Sequence, residues 1–440
     1  MIRTHRALLA LILALPAALR AQDTLHPPGG VRVGIDYRPG VRPSVVVLPG
    51  VGLDSVRAIL TRDLDYSDRF EVIPLSPTDS GARAAAGPGG RTLNYALFRT
   101  LGADFAVEVT QEGPGTVARV HDVAAGAIRR EQRFTLPAPF DLGFRMAVHG
   151  VAEEVVRWIS GTPGAAASQI AFVVDHKLYR IDSDGAATAV LSPAGEQVLS
   201  PAWSPDGGRI AYTRFLEGTG PVMILNLANG QRTMVTGTST VLNITPAFSP
   251  DGRLLAYARS SEEGTDIFTV DIAQNCCAQR LTVGRFADNL SPTFAPDGRR
   301  MAFVSTRAGQ PQIYVMGIDG TDQELLAPFD FGATGSSNAP EWSPDGASVV
   351  FHREVDRTPQ IFVLDVASRR VRQLTSSGRN EDPTWAPDGR HIAFVSDRSG
   401  QRQLWVIDLM TGRIRQLTFI GQARLPAWSR RMTGPAPGSN

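Results

Sequence analysis

The sequence predicts a multidomain chain: an N-terminal α/β domain followed by a six-bladed all-β propeller closed by the C-terminal strand. Three observations carry this prediction. Trp203, Phe248, Phe294, Trp342, Trp385 and Trp428 recur at spacings of 45, 46, 48, 43 and 43 residues, and a sustained period of this size marks a repeat architecture. Each aromatic follows a proline by two places (Pro201, Pro246, Pro292, Pro340, Pro383, Pro426), and the first five lead into Pro-Asp-Gly. Helical spacing of apolar residues fades beyond about Gly161, where short alternating strands take over.

The chain opens with Arg3 and Arg6 ahead of an apolar run from Ala7 to Leu15, and Ala21 offers a small cleavage residue. Residues 1–21 are therefore read as a secretory signal peptide. No later stretch is long and apolar enough to cross a bilayer. Of 44 Lys and Arg, Arg3, Arg6 and Arg20 fall in that segment, which leaves 41 against 43 acidic groups. Such a balance excludes nucleic acid as the partner, because phosphate binding needs surplus positive charge.

Residues 22–160 alternate strand and helix. PSVVVLPG (43–50) is a buried strand. LDSVRAILTRDLDYSDRF is a helix with Val56, Ile59, Leu60 and Leu64 on one face, and Asp54 or Ser55 placed to cap it. FEVIPL is a second strand, and SPTDSGARAAAGPGGR a surface loop. NYALFRTLGA reads as helix, DFAVEVTQ and TVARVHD as strands. DLGFRMAVHGVAEEVVRWISG is a helix whose Phe144, Val148, Val151, Val155 and Trp158 form one core-facing stripe. Residues 161–168 have linker composition, residues 169–430 form the propeller and 431–440 a tail.

Within each repeat, Pro presets φ, Asp bonds back to the backbone and Gly takes the left-handed corner of a turn. Strands such as RIAYTR and HIAFVSD follow, then QIYVMGI or QLWVIDL, then a short fourth strand such as VRQLT. Four short antiparallel strands per period describe a propeller blade. QIAFVV (169–174) is a second strand with no inner strand ahead of it. LPAWS (425–429) is an inner strand with nothing after it. The C-terminal strand is therefore expected beside Gln169–Val174, which removes an exposed sheet edge.

This order sorts the loops. Pro-Asp-Gly shares one rim with the turns between third and fourth strands. The segments leading into the inner strands (GEQVLS, TVLNIT, RFADNLS, GSSNA, GRNED and IGQAR) surround the channel mouth on the other rim.

Catalytic patterns are missing. The nearest approach to a Gly-x-Ser-x-Gly elbow, GTSTV (237–241), lacks the second glycine. His5, His26, His121, His149, His176, His352 and His391 stand singly, without metal-ligand spacing, and read as surface or core histidines. DSDG (182–185) opens like a calcium loop without its later ligands and reads as a turn. Cys276 and Cys277 are the only cysteines, too few for a disulfide framework. Neighbouring cysteines can close a strained ring, but the plainer reading of IAQNCCAQ is a hairpin turn. No enzyme activity, cofactor or metal is expected.

The signal peptide, the small α/β domain and the repeated P-x-W/F-S/A-P-D-G together resemble the TolB family, the periplasmic component of the Tol–Pal envelope system. VRVGID (31–36), RPSVVVLPG and AILTRDLDYSDRFEVIP extend the resemblance over essentially the whole mature chain. It implies a monomeric, non-enzymatic, periplasmic adaptor for outer-membrane integrity and constriction during cell division. It implies that a Pal-like peptidoglycan-associated lipoprotein binds at the propeller mouth, just before the P-x-W/F motifs. The corresponding residues here are Leu242, Asn243, Thr245, Asn289, Ser291, Asn338, Asn380, Glu381, Asp382 and Arg424. A His and a Glu of the family pattern stand here as Leu242 and Ser291. The resemblance further implies that Val31, Arg32, Val33, Ile35 and Asp36 bind a TolA-like inner-membrane protein, in competition with the lipoprotein. An extended segment adding to a partner's sheet edge is a physically sound mode. Other outer-membrane proteins are further expected partners. The alternative is a secreted carbohydrate- or peptide-binding propeller outside Tol–Pal that uses the same mouth.

Overall fold

Alternation within SVVV sets the first layer: Val45 and Val47 face one way and Val46 the other, so this strand is covered on both sides. In the computed structural model, which describes residues 42–75, 93–216, 219–236, 241–329 and 335–432, it is β1 (Ser44–Val47). It forms a five-stranded sheet with β2 (Glu71–Ile73), β3 (Phe105–Glu112), β4 (Gly115–Asp122) and β5 (Ala127–Phe134), in the order β2-β1-β3-β4-β5. β1 runs parallel to β2 and β3, and the remaining pairs are antiparallel. Helices α1 (Asp54–Tyr66) and α3 (Phe144–Ser160) bury Val56, Leu60, Leu64, Val148, Val151 and Val155 against one face. Helix α2 (Tyr95–Thr100) covers the other face through Phe98, against Val46 and Ala106.

Two expectations for this domain change. Neither Asp54 nor Ser55 caps α1: the N-cap is Leu53, without a side-chain bond, and Asp54 sits in the first turn, where its charge favours the helix dipole. β5 was not anticipated, because AIRREQRF is mostly exposed and lacks an apolar alternation. The linker-like stretch 161–168 is tied down. Glu153 accepts from Gly164 N (2.9 Å) and Ala167 N (3.2 Å), and Arg69 donates to Thr162 Oγ1 (2.7 Å) and Pro163 O (2.8 Å).

Beyond it the chain is a β-propeller. Among the described residues, four of its sheets have four strands. Their first strands are Gln197–Trp203, Ser337–Trp342, Asn380–Trp385 and Ala423–Trp428. One sheet has eight strands and holds two Pro-x-Phe strands, Asn243–Phe248 and Ala287–Phe294; its halves meet where Gly264 and Thr265 pair in parallel with Ala287 and Asp288. Within each repeat the strands pair antiparallel in chain order. The exception is the last sheet, in which Ala423–Trp428 pairs with Gln169–Val174, near the start of the propeller. The Pro-x-Trp/Phe strands of all five sheets line a central channel of about 620 Å³.

No described helix is long and apolar enough to cross a membrane. The segment read as a signal peptide, Val31–Asp36 and the loop at 76–91 lie outside the described residues.

Candidate functional site

Each channel-lining strand carries the same kink. Ser200, Thr245, Ser291, Ala339, Asp382 and Leu425, the residues before the channel prolines, have φ of 50° to 52°. Strand pairing shifts register at each of them. Proline has no N–H to give the ladder, so pairing breaks there, and a bulge re-aims the chain toward the mouth. The left-handed conformation costs a non-glycine residue roughly 1–2 kcal/mol, offset here by six repetitions of the same packing. Thr245, Ser291 and Asp382, named from the sequence as contacts, are bulge residues. Two of them touch: Ser291 N donates to Thr245 Oγ1 at 3.1 Å.

Counting back from the bulges aligns the mouth. Two places before lie Val198, Asn243, Asn289, Ser337, Asn380 and Ala423, all fully buried. Asn243, Asn289 and Asn380 are therefore supports beneath the mouth and not part of its surface. Asn243 Nδ2 donates to Gly220 O (3.0 Å), and Asn289 Nδ2 to Thr265 O (3.2 Å). Asn380 Nδ2 donates to Ser377 O (3.0 Å) and Gly378 O (3.1 Å). Asn338 is out of step with these three, because Ser337 takes the asparagine position in its strand.

One place before the bulge lie Leu199, Ile244, Leu290, Asn338, Glu381 and Arg424, all at least partly exposed. This set divides the mouth into an apolar arc (Leu199, Ile244, Leu290) and a polar arc (Asn338, Glu381, Arg424). Glu381 pairs with Arg379 at 3.0 Å and Arg402 at 3.7 Å. Beside it, Asp382 N donates to His352 Nδ1 at 3.2 Å. Burial lowers the His352 pKa and raises that of Asp382.

The loops of the mouth rim carry what the sequence reading missed. Phe286 is 88% exposed, Val283 and Phe419 78%, and Leu216, Val355 and Ile420 are also exposed. All six lie in segments entering the inner strands or joining second to third strands, on one rim. Leu242 is half-buried beside them. These side chains from several repeats give the mouth rim an exposed apolar component. The available signal was a Phe inside a turn-rich stretch, in VGRFADN and TFIGQ.

The channel wall behind the mouth is small and neutral at Ala202, Ala247, Thr293, Thr384 and Ala427, and carries Glu341 at the equivalent place. Burial pushes the Glu341 carboxyl up to about 7, although it accepts a bond from Trp385 N (3.3 Å).

At the opposite rim the α/β domain docks through charge. His149 of α3 sits between Asp63 of α1 (Nδ1 to Oδ2, 2.7 Å) and Asp182 of the propeller (Nε2 to Oδ2, 3.4 Å). Burial alone would lower its pKa, but the facing carboxylates push it up to about 10. Asp68, just after α1, receives His391 Nε2 (3.1 Å), Arg413 Nη1 (3.0 Å) and Arg415 Nη1 (3.0 Å) from the propeller. DSDG, read as a turn, joins third and fourth strands, and its Asp182 and Asp184 both pair with Arg145.

Two groups here, Asp63/His149/Asp184 and Asp68/His391/Asp408, have the composition of metal ligands. Arg145 and Arg62 already neutralise Asp184, Arg413 and Arg415 neutralise Asp68, and Arg390 neutralises Asp408. Asp63 Oδ1 lacks a hydrogen-bond partner, but the other carboxylates face side-chain cations, so the donor set fits an ion-paired joint better than a metal centre.

Comparison with known proteins gives this geometry a family. Two relatives are Tol-Pal system proteins TolB. That of Actinobacillus succinogenes is 32% identical over 226 residues, covering 47% of this chain and 50% of the relative. That of Methylococcus capsulatus is 33% identical over 196 residues, covering 42% and 44%. The chain thus spans about half the length of the curated relatives it matches. The crystal structure of TolB from Acinetobacter baumannii superposes with a TM-score of 0.75 at 22% identity, over 89% of this chain and 98% of that one, a likeness of fold. The family model described as the TolB beta propeller domain matches residues 156–330 and 331–433, more than half of the sequence, and the chain belongs to that family.

Proposed function

We propose that this protein is a non-catalytic periplasmic adaptor of a Tol–Pal-type envelope system, which holds a Pal-like peptidoglycan-associated lipoprotein at its propeller mouth. The observation that carries the reading is the set of exposed apolar side chains, Phe286, Val283, Phe419 and Leu216 among them, distributed around the rim opposite the docked domain. That rim surrounds a mouth with one apolar and one charged arc, which suits a protein surface better than a small substrate. In the same reading the ring has six blades: the eight-stranded sheet is two blades joined by the Gly264–Ala287 pairing. The last blade is completed by Ala423–Trp428. Exposed contacts then fall to Leu242, Asn338, Glu381, Arg424 and the apolar rim, with the buried asparagines setting their positions. Val31, Arg32, Val33, Ile35 and Asp36 remain the proposed contact for a TolA-like protein, and service to outer-membrane integrity and cell constriction follows from bridging the two.

The test is retention of the organism's own Pal-like lipoprotein on the immobilised full chain. Saturable binding at micromolar concentration is expected. Binding of peptidoglycan fragments with no lipoprotein retained would move the protein to the carbohydrate-binding alternative, and turnover of peptide or ester substrates would overturn the non-catalytic reading.

A further inference from the structure

The turn that holds Cys276 and Cys277 is longer than its counterparts. In four other repeats the third-strand residue at the matching register pairs with a fourth-strand residue eleven places on: Met223 with Met234, Tyr314 with Leu325, Phe362 with Gln373, Trp405 with Gln416. In this repeat Phe268 pairs with Arg280, twelve places on. Hairpin architecture does not need the additional residue, and the surplus falls where the two cysteines stand.

The backbone there brings both sulfurs to one side. Successive side chains on an extended strand point to opposite faces, which would separate adjacent thiols. Here Asn275 and Cys277 both adopt left-handed backbone, with φ of 48° and 58°. The two Sγ atoms lie 2.7 Å apart, closer than unbonded sulfurs ordinarily pack, and both cysteines are exposed. The stretch leading into the cysteines is held in this shape by hydrogen bonds. Asp271 Oδ1 accepts from Ala273 N (3.0 Å) and Gln274 N (3.2 Å), Asp271 O accepts from Asn275 N (2.9 Å), and Asn275 Nδ2 donates to Met234 O of the preceding sheet (3.1 Å).

We propose that Cys276 and Cys277 are a two-electron thiol–disulfide exchange site, which closes to a vicinal disulfide on meeting an oxidised disulfide donor and reopens with a dithiol. In the forward direction one thiolate attacks a donor R–S–S–R, forms a mixed disulfide and expels one R–S⁻. The neighbouring thiolate then attacks the protein sulfur of that mixed disulfide and expels the second R–S⁻. The Cys276–Cys277 bond forms, the donor bond breaks, two electrons pass from protein to donor, and the two thiol protons leave with the departing thiolates. Adjacent Cα atoms are about 3.8 Å apart, closer than the roughly 4.4–6.8 Å that disulfides ordinarily span. Adjacency therefore makes the ring strained, and strained, exposed disulfides are the readily reduced ones. The site is a switchable one and not a structural staple. It lies on the Pro-Asp-Gly rim, away from the mouth, so it stands or falls independently of the partner reading.

The test is intact mass of the full chain after treatment with glutathione disulfide, a denaturing quench and alkylation. The reduced protein is expected to take two alkyl groups. The oxidised protein should take none, weigh two hydrogen atoms less and remain a monomer on a non-reducing gel. Cys276→Ser and Cys277→Ser should each stop at one persistent glutathione adduct, since the resolving thiol is missing. Reduced wild type should bind one equivalent of phenylarsine oxide, and prior oxidation should abolish that binding. Glutathione adducts that persist on the wild type, disulfide-linked dimers, or thiols still alkylatable after treatment would each overturn the proposal.

Discussion

His391 of the propeller and Asp68 of the α/β domain meet across the joint between the two domains, Nε2 to Oδ2 at 3.1 Å. Asp68 is fully buried and also faces Arg413 and Arg415, so one carboxylate compensates several propeller cations. Its backbone is left-handed, with φ of 54°, which asparagine tolerates nearly as well as aspartate. Asp68→Asn therefore removes the charge with little backbone penalty. Arg413 and His391 keep Asp65 and Asp388 as partners, but Arg415 loses the carboxylate it faces, and leaving a buried cation unpaired costs roughly 3–5 kcal/mol. Urea denaturation should show a loss of that order, and an unchanged midpoint would sink this account of the joint.

Glu341 gives the channel a pH signature. Its folded pKa of about 7 lies above the ordinary 4.5 because burial disfavours the charged form. A raised pKa means the folded state holds the proton more tightly. The associated stabilisation is complete below about pH 4.5 and is lost as pH rises through about 7. Glu341→Gln mimics the protonated form. Its melting temperature should match wild type near pH 4.5 and exceed it increasingly toward pH 8. A pH-independent difference between the two proteins would rule out this titration.

The repeat was legible because its chemistry is local. Pro-Asp-Gly spells a turn within four residues, and Trp or Phe two places after proline recurs whatever the loops do. Closure was legible for the same reason, since LPAWS and QIAFVV each lack a partner next to them in the chain. The joint was not, because Asp68 and His391 stand 323 positions apart and neither lies in a motif. The mouth was half-legible. Segments entering the inner strands differ in length, which concealed that Asn338 is out of step with Asn243, Asn289 and Asn380. Asparagine in a turn-rich segment also reads as exposed, whereas these three turn inward and donate to backbone carbonyls.

Trp428 tests closure without deleting the strand. Its side chain is buried among Ile170, Phe172, Ala386 and Ala393, and its Nε1 donates to Ser168 Oγ at 2.8 Å. Trp428→Ala opens a cavity where the two ends of the propeller meet. Truncations of this kind cost about 3–5 kcal/mol, and Ser168 Oγ loses the indole donor while keeping its own bond to Ala165 O. Truncation before Leu425 goes further and leaves Gln169–Val174 an open edge. The point variant should melt cooperatively at a lower temperature, and the truncation should lose cooperativity. A truncated chain that melts like the wild type would contradict closure by this strand.

Phe286 and Phe419 separate the mouth from the fold. Each is largely exposed on the rim, so replacing it by Ala should change stability by no more than about 0.5 kcal/mol, as for surface sites generally. An aromatic that becomes buried at an interface is among the residues most costly to truncate, typically by about 2 kcal/mol or more. That corresponds to a dissociation constant weakened roughly thirtyfold, at about 1.4 kcal/mol per tenfold. Titration calorimetry with the Pal-like lipoprotein should show this weakening for Phe286→Ala and Phe419→Ala, while Met410→Ala, equally apolar but on the opposite rim, leaves affinity unchanged. Equal affinity in all three variants would remove the apolar rim from the binding surface.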